Sequence, residues 1–285
     1  MMVAPTVCLS FDFDGFAPYL GAPGGPSATA LSRGEFGGRV GMRRILELLA
    51  REELPATFFV PGHTIECFQD ACRAAVHDGH ELAHHGYLHL DPCSLDEAEA
   101  RDELERGIEV IERIVGVLPK GYRAPGGNLS RQTLELLVEY GFAYESSLMG
   151  QDFEPYYVRI GDRIAADTPF TIGEEVDLVE LPMLVSLIDA PQMEFLAQPL
   201  LPGLHANAKV FATWREEFDW MREHVPGGVL VLVMHPSTIA RGARLAVLER
   251  LISHMKESGA NFVLMREAAA EWRARNPLGA ARRVV

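Results

Sequence analysis

Two acidic residues close the first apolar run of the chain, Ser10-Phe11-Asp12-Phe13-Asp14-Gly15. In a strand, alternation sets Asp12 and Asp14 on one face and Phe11 and Phe13 on the other, with the acidic Cα atoms about 7 Å apart. Two like charges confined to a small volume need a cation or a shared proton. A metal ligand beside a general base is therefore the chemistry this pair suggests, with a solvated strand end as the alternative. The second signal is His80-Glu-Leu-Ala-His84-His85-Gly86-Tyr-Leu-His89, which holds two overlapping H-x3-H pairs. Spacing alone does not choose between them. His80 and His84 fall inside a strand, whereas His85 and His89 straddle Gly86 at its exit, where one helical turn would put both rings on one face. With Asp14, His85 and His89 would make a set of two imidazoles and one carboxylate, suited to Zn, Fe, Co or Ni and leaving positions for water and substrate.

Two further segments each end an apparent strand on a polar residue followed by a proline-fixed turn: Gly121-Tyr-Arg123-Ala-Pro125-Gly126 and Val229-Leu-Val-Leu-Val-Met-His235-Pro236. His235 at such a strand end could donate a proton near neutral pH, and Arg123 could hold Asp12 ionised through a bidentate bond. As isolated residues, Arg123 serves equally well as a structural ion-pair partner and His235 as a strand terminus bonded to backbone. No G-x-S-x-G elbow, Rossmann G-x-G-x-x-G or Walker loop occurs, which speaks against a serine triad, a dinucleotide site or a P-loop.

The elements that must position these residues alternate in type. Strand-like runs lie at Val7 to Phe13, Ala56 to Val60, Glu81 to His84, Val176 to Leu184, Val229 to Met234 and Asn261 to Met265. Between them, residues 64 to 78 carry Ile65, Phe68, Cys72 and Val76 at helical spacing and stop at Gly79. A second helix opens on a Ser94 and Glu97 capping box, carries Leu104, Ile108, Ile111 and Val115, and stops at Gly116. Others run from Ser130 to Gly141 and from Leu245 to Gly259. Parallel strands need crossover helices, so this order predicts a parallel sheet or barrel with active groups at the C-terminal strand ends. Residues 15 to 40, with Gly21, Gly24, Gly25, Gly34, Gly37 and Gly38, break the rhythm, as do 146 to 175 and 186 to 215. These long connections follow strands and are placed to wall a pocket.

The 285 residues suit one large domain spanning 1–285 rather than two. Forty Asp plus Glu against 26 Lys plus Arg give a net charge of −14, which disfavours nucleic acid and anionic membrane and points to a small neutral partner. The longest apolar run, Val229 to Met234, is far below the roughly 20 residues of a membrane span. The N-terminal residues lack the basic start of a signal peptide, so a cytoplasmic location is expected. Cys8, Cys67, Cys72 and Cys93 contain no C-x-x-C pair, and Cys67 and Cys72 are expected to line a helix as small apolar residues.

Taken in order, SFDFD, HHGYLH, YRAP and VMHP resemble the polysaccharide deacetylase family, which shares the NodB homology domain. The resemblance covers Ser10 to about Met265. Ser32 to Gly41, Ser146 to Met149 and Arg244 to Arg250 look like the branch that includes cyclic imide hydrolases and peptidoglycan-deacetylase-like proteins. The resemblance implies an α/β fold, a distorted (β/α) barrel of about seven parallel strands, in a homo-oligomer, dimer or tetramer. It implies that Asp14, His85 and His89 bind one divalent metal, Zn first with Co, Ni, Fe or Mn as alternatives. It further implies Asp12 as general base, His235 as general acid and Arg123 as the residue orienting Asp12. The chain departs from the pattern at Gly86, where sugar-acting relatives usually have Ser or Thr. Gly126 and Gly127 replace common aromatics, and Glu145 stands where Asp is often seen; Gly126 and Glu145 are expected at the substrate. The reaction so implied is metal-dependent hydrolysis of a non-peptide C–N bond. A small cyclic imide or ureide is the favoured substrate, an acetylated amino sugar of peptidoglycan or chitin type the alternative, and a non-catalytic ligand-binding barrel the opposing class.

Overall fold

A computed structural model describes residues 4–20, 26–197 and 200–279. The sheet that carries the site contains β1 (Thr6–Asp12), β2 (Thr57–Val60), β3 (Glu81–His84), β4 (Gly121–Tyr122), β5 (Tyr144–Glu145), β6 (Tyr156–Ile160), β7 (Glu174–Glu180), β8 (Val229–Met234) and β9 (Asn261–Phe262). Its order is β8-β1-β2-β3-β4-β5-β7-β6, with β9 also paired to β1. Every neighbouring pair is parallel except β6 with β7. This is the curled parallel sheet of a distorted (β/α) barrel, as the alternation of elements predicts. Both faces are covered, so β8 reads VLVLVM and is buried throughout.

Period-two alternation sorts the strands into two faces. Val7, Leu9, Phe11 and Phe13 pack outward into the core beneath the helices Met42–Glu52, Asn207–His224 and Ala243–Glu257. Cys8, Phe59, Ala83, Val231 and Val233 point into the barrel, where Met265, Ala268 and Ala269 of the helix Met265–Arg275 join them. The two phenylalanines of the first motif therefore hold β1 against helices, while Ser10 and Asp12 face the interior. Among the described residues no helix is long and apolar enough to cross a membrane.

Several local expectations are corrected. The helix expected over 64 to 78 is two helices, Gly62–Cys67 and Gln69–His77, broken at Phe68 (φ −131°, ψ 46°). The Phe68 ring is anchored on Phe13 and Phe16 at 5.6 and 5.2 Å, which takes its backbone out of the helix. Cys67 at that break is exposed rather than apolar lining, whereas Cys72 is buried. The capping box is Asp96 with Glu99, not Ser94 with Glu97. Pro92–Ser94 forms a separate 3₁₀ turn, and the same acid spacing recurs two residues later. Residues 15 to 40 are mostly helical, with Ala17–Leu20, Ala28–Phe36 and a wide turn Gly37–Gly41 leading into Met42–Glu52; residues 21–25 lie outside the described residues. A Cβ at Gly41 would run into the Pro236 carbonyl, so glycine there lets this helix press on the turn after His235. Residues 146 to 175 supply β6, which extends the sheet edge, and the hairpin Arg163–Ala165 with Thr168–Thr171, a separate two-stranded sheet. Residues 186 to 215 contain the helix Asp189–Met193 and the start of Asn207–His224, which packs against Ala243–Glu257.

Candidate active site

The C-terminal ends of β1, β3, β4 and β8 deliver Asp12, Asp14, His85, His89, Arg123 and His235 to one place. The Nε2 atoms of His85 and His89 lie 3.5 and 3.7 Å from Asp14 Oδ1, and His235 Nε2 lies 3.8 Å from Asp14 Oδ2. Asp14 Oδ1 is buried and has no hydrogen-bond partner. His85 donates from Nδ1 to the Arg123 carbonyl at 2.7 Å, which leaves its Nε2 lone pair facing Asp14. Burial pulls both imidazoles down, His89 to about 3, so both are neutral bases. Burial pushes the Asp14 carboxyl up to about 7 against the pull of His235, with Asp12 and Asp189 adding to the rise. Three electron-pair donors thus converge with no proton donor between them. Donors bound to one ion at about 2.1 Å stand about 3–3.5 Å from each other, so the set fits a divalent cation.

The two histidines do not meet through a helical turn. Gly86 (φ 72°) and His89 (φ 59°) both take left-handed backbone, and this double bend brings their segment round until the His85 and His89 rings are 5.0 Å apart. Glu103, on the helix Glu97–Val115, fastens the bend by accepting from Tyr87 N at 2.8 Å and Leu88 N at 3.0 Å. A Cβ on Gly86 would lie 3.1 Å from Glu103 Oε2, so glycine gives the carboxylate its place. His84 is structural: its Nδ1 accepts from Gly86 N at 3.1 Å and its Nε2 donates to the Leu104 carbonyl at 3.0 Å. His80 is buried and packs 5.7 Å from the Phe58 ring, remote from the cluster.

Asp12 and His235 have opposite electrostatic settings. Burial alone would raise the Asp12 carboxyl, but Arg123, then His85 and His235, outweigh it and hold it below the usual range. Arg123 does not form the bidentate pair expected. Its Nη1 donates to Asp12 Oδ1 at 2.7 Å and to Ser10 Oγ at 2.9 Å, while Nη2 and Nε go to Ser146 Oγ and the Ser146 carbonyl, each at 3.0 Å. The fork therefore ties the end of β1 to the segment after β5, and its plane lies 4.1 Å over the Phe59 ring. His235 donates from Nδ1 to Asp189 Oδ1 at 2.6 Å, and Asp189 Oδ2 accepts from His235 N at 2.8 Å. Burial opposes protonation of His235, yet the charge and hydrogen bond of Asp189, with Asp14 and Asp12, raise it to about 10.

Sequence reading missed Asp189, Ser10, Ser146 and Glu103. Asp189 is wholly buried inside the apolar run Leu187-Ile188-Asp189-Ala190, and an acid in such a run was the available signal. The two residues expected at the substrate part company. Gly126 is exposed with open space over its Cα, whereas Glu145 is wholly buried and accepts from Ser147 N and Oγ. Burial, followed by the charge and hydrogen bond of Glu145, keeps the adjacent Glu180 carboxyl well above its ordinary range, so Glu180 holds its proton behind the site.

Comparison with known proteins decides the family. The polysaccharide deacetylase family model matches residues 35–144. The peptidoglycan deacetylase of Helicobacter pylori is 38% identical over 95% of this chain and 97% of its own length. The chain belongs to the polysaccharide deacetylase family. The peptidoglycan deacetylase-like protein FGM2 of Gibberella zeae is 32% identical, over 93% of this chain and 86% of its own. A Mycobacterium smegmatis crystal structure attributed to the polysaccharide deacetylases superposes with a TM-score of 0.84 at 33% identity, covering 100% of this chain and 96% of the other. The chain is thus a deacetylase-family hydrolase acting on amide C–N bonds.

Proposed function

We propose that the protein is a metal-dependent N-deacetylase of acetylated amino sugars, and that Asp14, His85 and His89 hold its metal. The observation that carries the reading is the convergence of two neutral imidazoles on the partnerless Asp14 Oδ1, flanked by an ionised Asp12 and a protonated His235. The full-length relatives named above favour an acetylated sugar over the small cyclic imide or ureide anticipated from sequence. A divalent ion at this position supplies Lewis acidity toward the acyl oxygen and toward water. Asp12, held ionised and oriented by Arg123, accepts the proton of the attacking water. His235, held protonated by Asp189, gives a proton to the leaving nitrogen as the amide C–N bond breaks. The products are acetate and the free amine, and no covalent bond to the protein is formed.

The test is acetate release from N-acetylglucosamine oligomers by protein loaded in turn with Zn, Co, Ni, Fe and Mn, alongside succinimide and hydantoin rings. Turnover of the acetylated sugars with at least one ion is the expected result. Ring opening without acetate release would overturn the sugar reading and restore the imide one.

A further inference from the structure

A second charged assembly occupies the rim beside the site. Arg33, on Ala28–Phe36, pairs with Glu194 Oε2, and Arg244 Nη1 donates to Glu194 Oε1 at 2.6 Å. Arg241 donates from Nε to the Ser237 carbonyl at 2.8 Å and lies 3.9 Å over the Phe36 ring. Arg44 reaches the Ala240 carbonyl at 2.9 Å and stands 5.8 Å from that ring. Four guanidiniums therefore gather with Glu194 as their one carboxylate hydrogen-bond partner among the described residues. Arg33 and Arg244 are committed to it. The Nη groups of Arg241 have no acceptor among the described residues.

Connectivity fixes this assembly next to the reacting groups. Arg241 lies on the turn that begins at His235-Pro236, and Glu194 caps the helix Asp189–Met193 whose first residue grips His235. Tyr19, five residues after Asp14, has its hydroxyl raised by burial and lies in the fields of Arg33, Asp14 and Arg241. The chain as a whole carries −14, so a local excess of positive charge here is opposite in sign to the global field. Burial and repulsion from Arg33 and Arg244 both act against the Arg241 charge, and an incoming anion relieves that repulsion. A planar guanidinium whose two Nη groups have no acceptor among the described residues matches a carboxylate in shape as well as charge.

We propose that Arg241, backed by Arg33 and Tyr19, is a subsite for a carboxylate carried by the substrate. The substrate is then an N-acetylated sugar that bears a carboxylate near the scissile amide, and the neutral partner anticipated from net charge gives way to an anionic one at this rim. The inference rests on the N-deacetylase reading, so its test has a binding arm that does not depend on turnover. The probes are the disaccharide of N-acetylglucosamine and N-acetylmuramic acid and its methyl ester.

With metal-loaded protein, kcat/KM for the acid should exceed that for the ester about ten- to a hundredfold, the worth of a charge-assisted hydrogen bond. Arg241→Gln should bring that ratio near one, and Arg241→Lys should leave it in between. By calorimetry the acid should bind wild-type protein more tightly than the ester, and Arg241→Gln should remove the difference. Acetate release from acid and ester at equal rates, unchanged by either substitution, overturns the subsite and leaves the deacetylase reading standing. Selective binding of the acid through Arg241 with no acetate release upholds the subsite and sinks the activity. Neither binding preference nor release removes both.

Discussion

Two buried acid clusters sit at opposite ends of the same strands. At the N-terminal ends of β2 and β3, Glu81 Oε2 accepts from Thr57 Oγ1 at 2.9 Å and from Arg266 N at 3.1 Å, and Thr57 Oγ1 accepts from Met265 N at 3.0 Å. The start of the helix Met265–Arg275 thus closes that end of the barrel with its free N–H groups. The atoms left over there are complementary: Glu81 Oε1 and the Tyr144 hydroxyl, an acceptor beside a donor. At the C-terminal ends the remainder is different in kind, since Asp14 Oδ1 and two imidazole Nε2 atoms are all electron-pair donors. A buried carboxylate is structural when its neighbours complete it and chemical when they share its polarity.

Substitutions at the two ends should separate these roles. The largest effect is expected at the ligands: Asp14→Asn and His85→Ala lose both metal, by elemental analysis, and measurable turnover, while His80→Ala retains both. Full metal content in Asp14→Asn would erase the contrast. Asp12→Asn should keep metal and lose about 10²–10⁴-fold in kcat.

Asp189→Asn comes next, with kcat lower by about 10²-fold. His235 is raised to about 10, so the acid role proposed for it is lost only as pH rises through that value. Taking away the Asp189 charge lowers the His235 pKa, and the alkaline limb of the pH–rate profile should move to lower pH. An unmoved limb would detach Asp189 from the acid.

Glu103→Gln should weaken metal binding about 10–100-fold, as loss of a group supporting a ligand does, with thermal stability far less affected than by Glu81→Ala. Glu81→Ala should do the reverse, lowering stability by about 2–4 kcal/mol in denaturant titration while metal stoichiometry stays as in wild type. Gly86→Ala, strained at φ 72° and crowded by Glu103, is expected to cost about 1–2 kcal/mol.

The fold and the gathering of most candidate site residues were legible because both are written in short periods. Alternation in SFDFD separates the acids from the phenylalanines, and the structure sends one pair inward and the other into the helical core. Residues brought together by bends and crossovers were not legible. Nothing in the spacing of His85 and His89 announces two left-handed residues in place of a helical turn. Asp189 reaches His235 across 46 positions, and Ser146 reaches Arg123 across 23. Glu145 shows the converse limit, because its position after Tyr144 is the same whether its carboxylate faces a pocket or, as here, is buried against Ser147.

The short helix Asp189–Met193 has a bearing on how such enzymes can diverge. One end of it holds the His235 imidazole, the acid of the proposed reaction, and the residue just past the other end is held by Arg33 and Arg244 at the rim. Acid strength and rim geometry are thereby inherited as a single cassette of six residues, Asp189 to Glu194. Grafting that cassette between relatives would transplant a pH optimum together with a selectivity, and a library varying one without the other would have to break the helix that joins them.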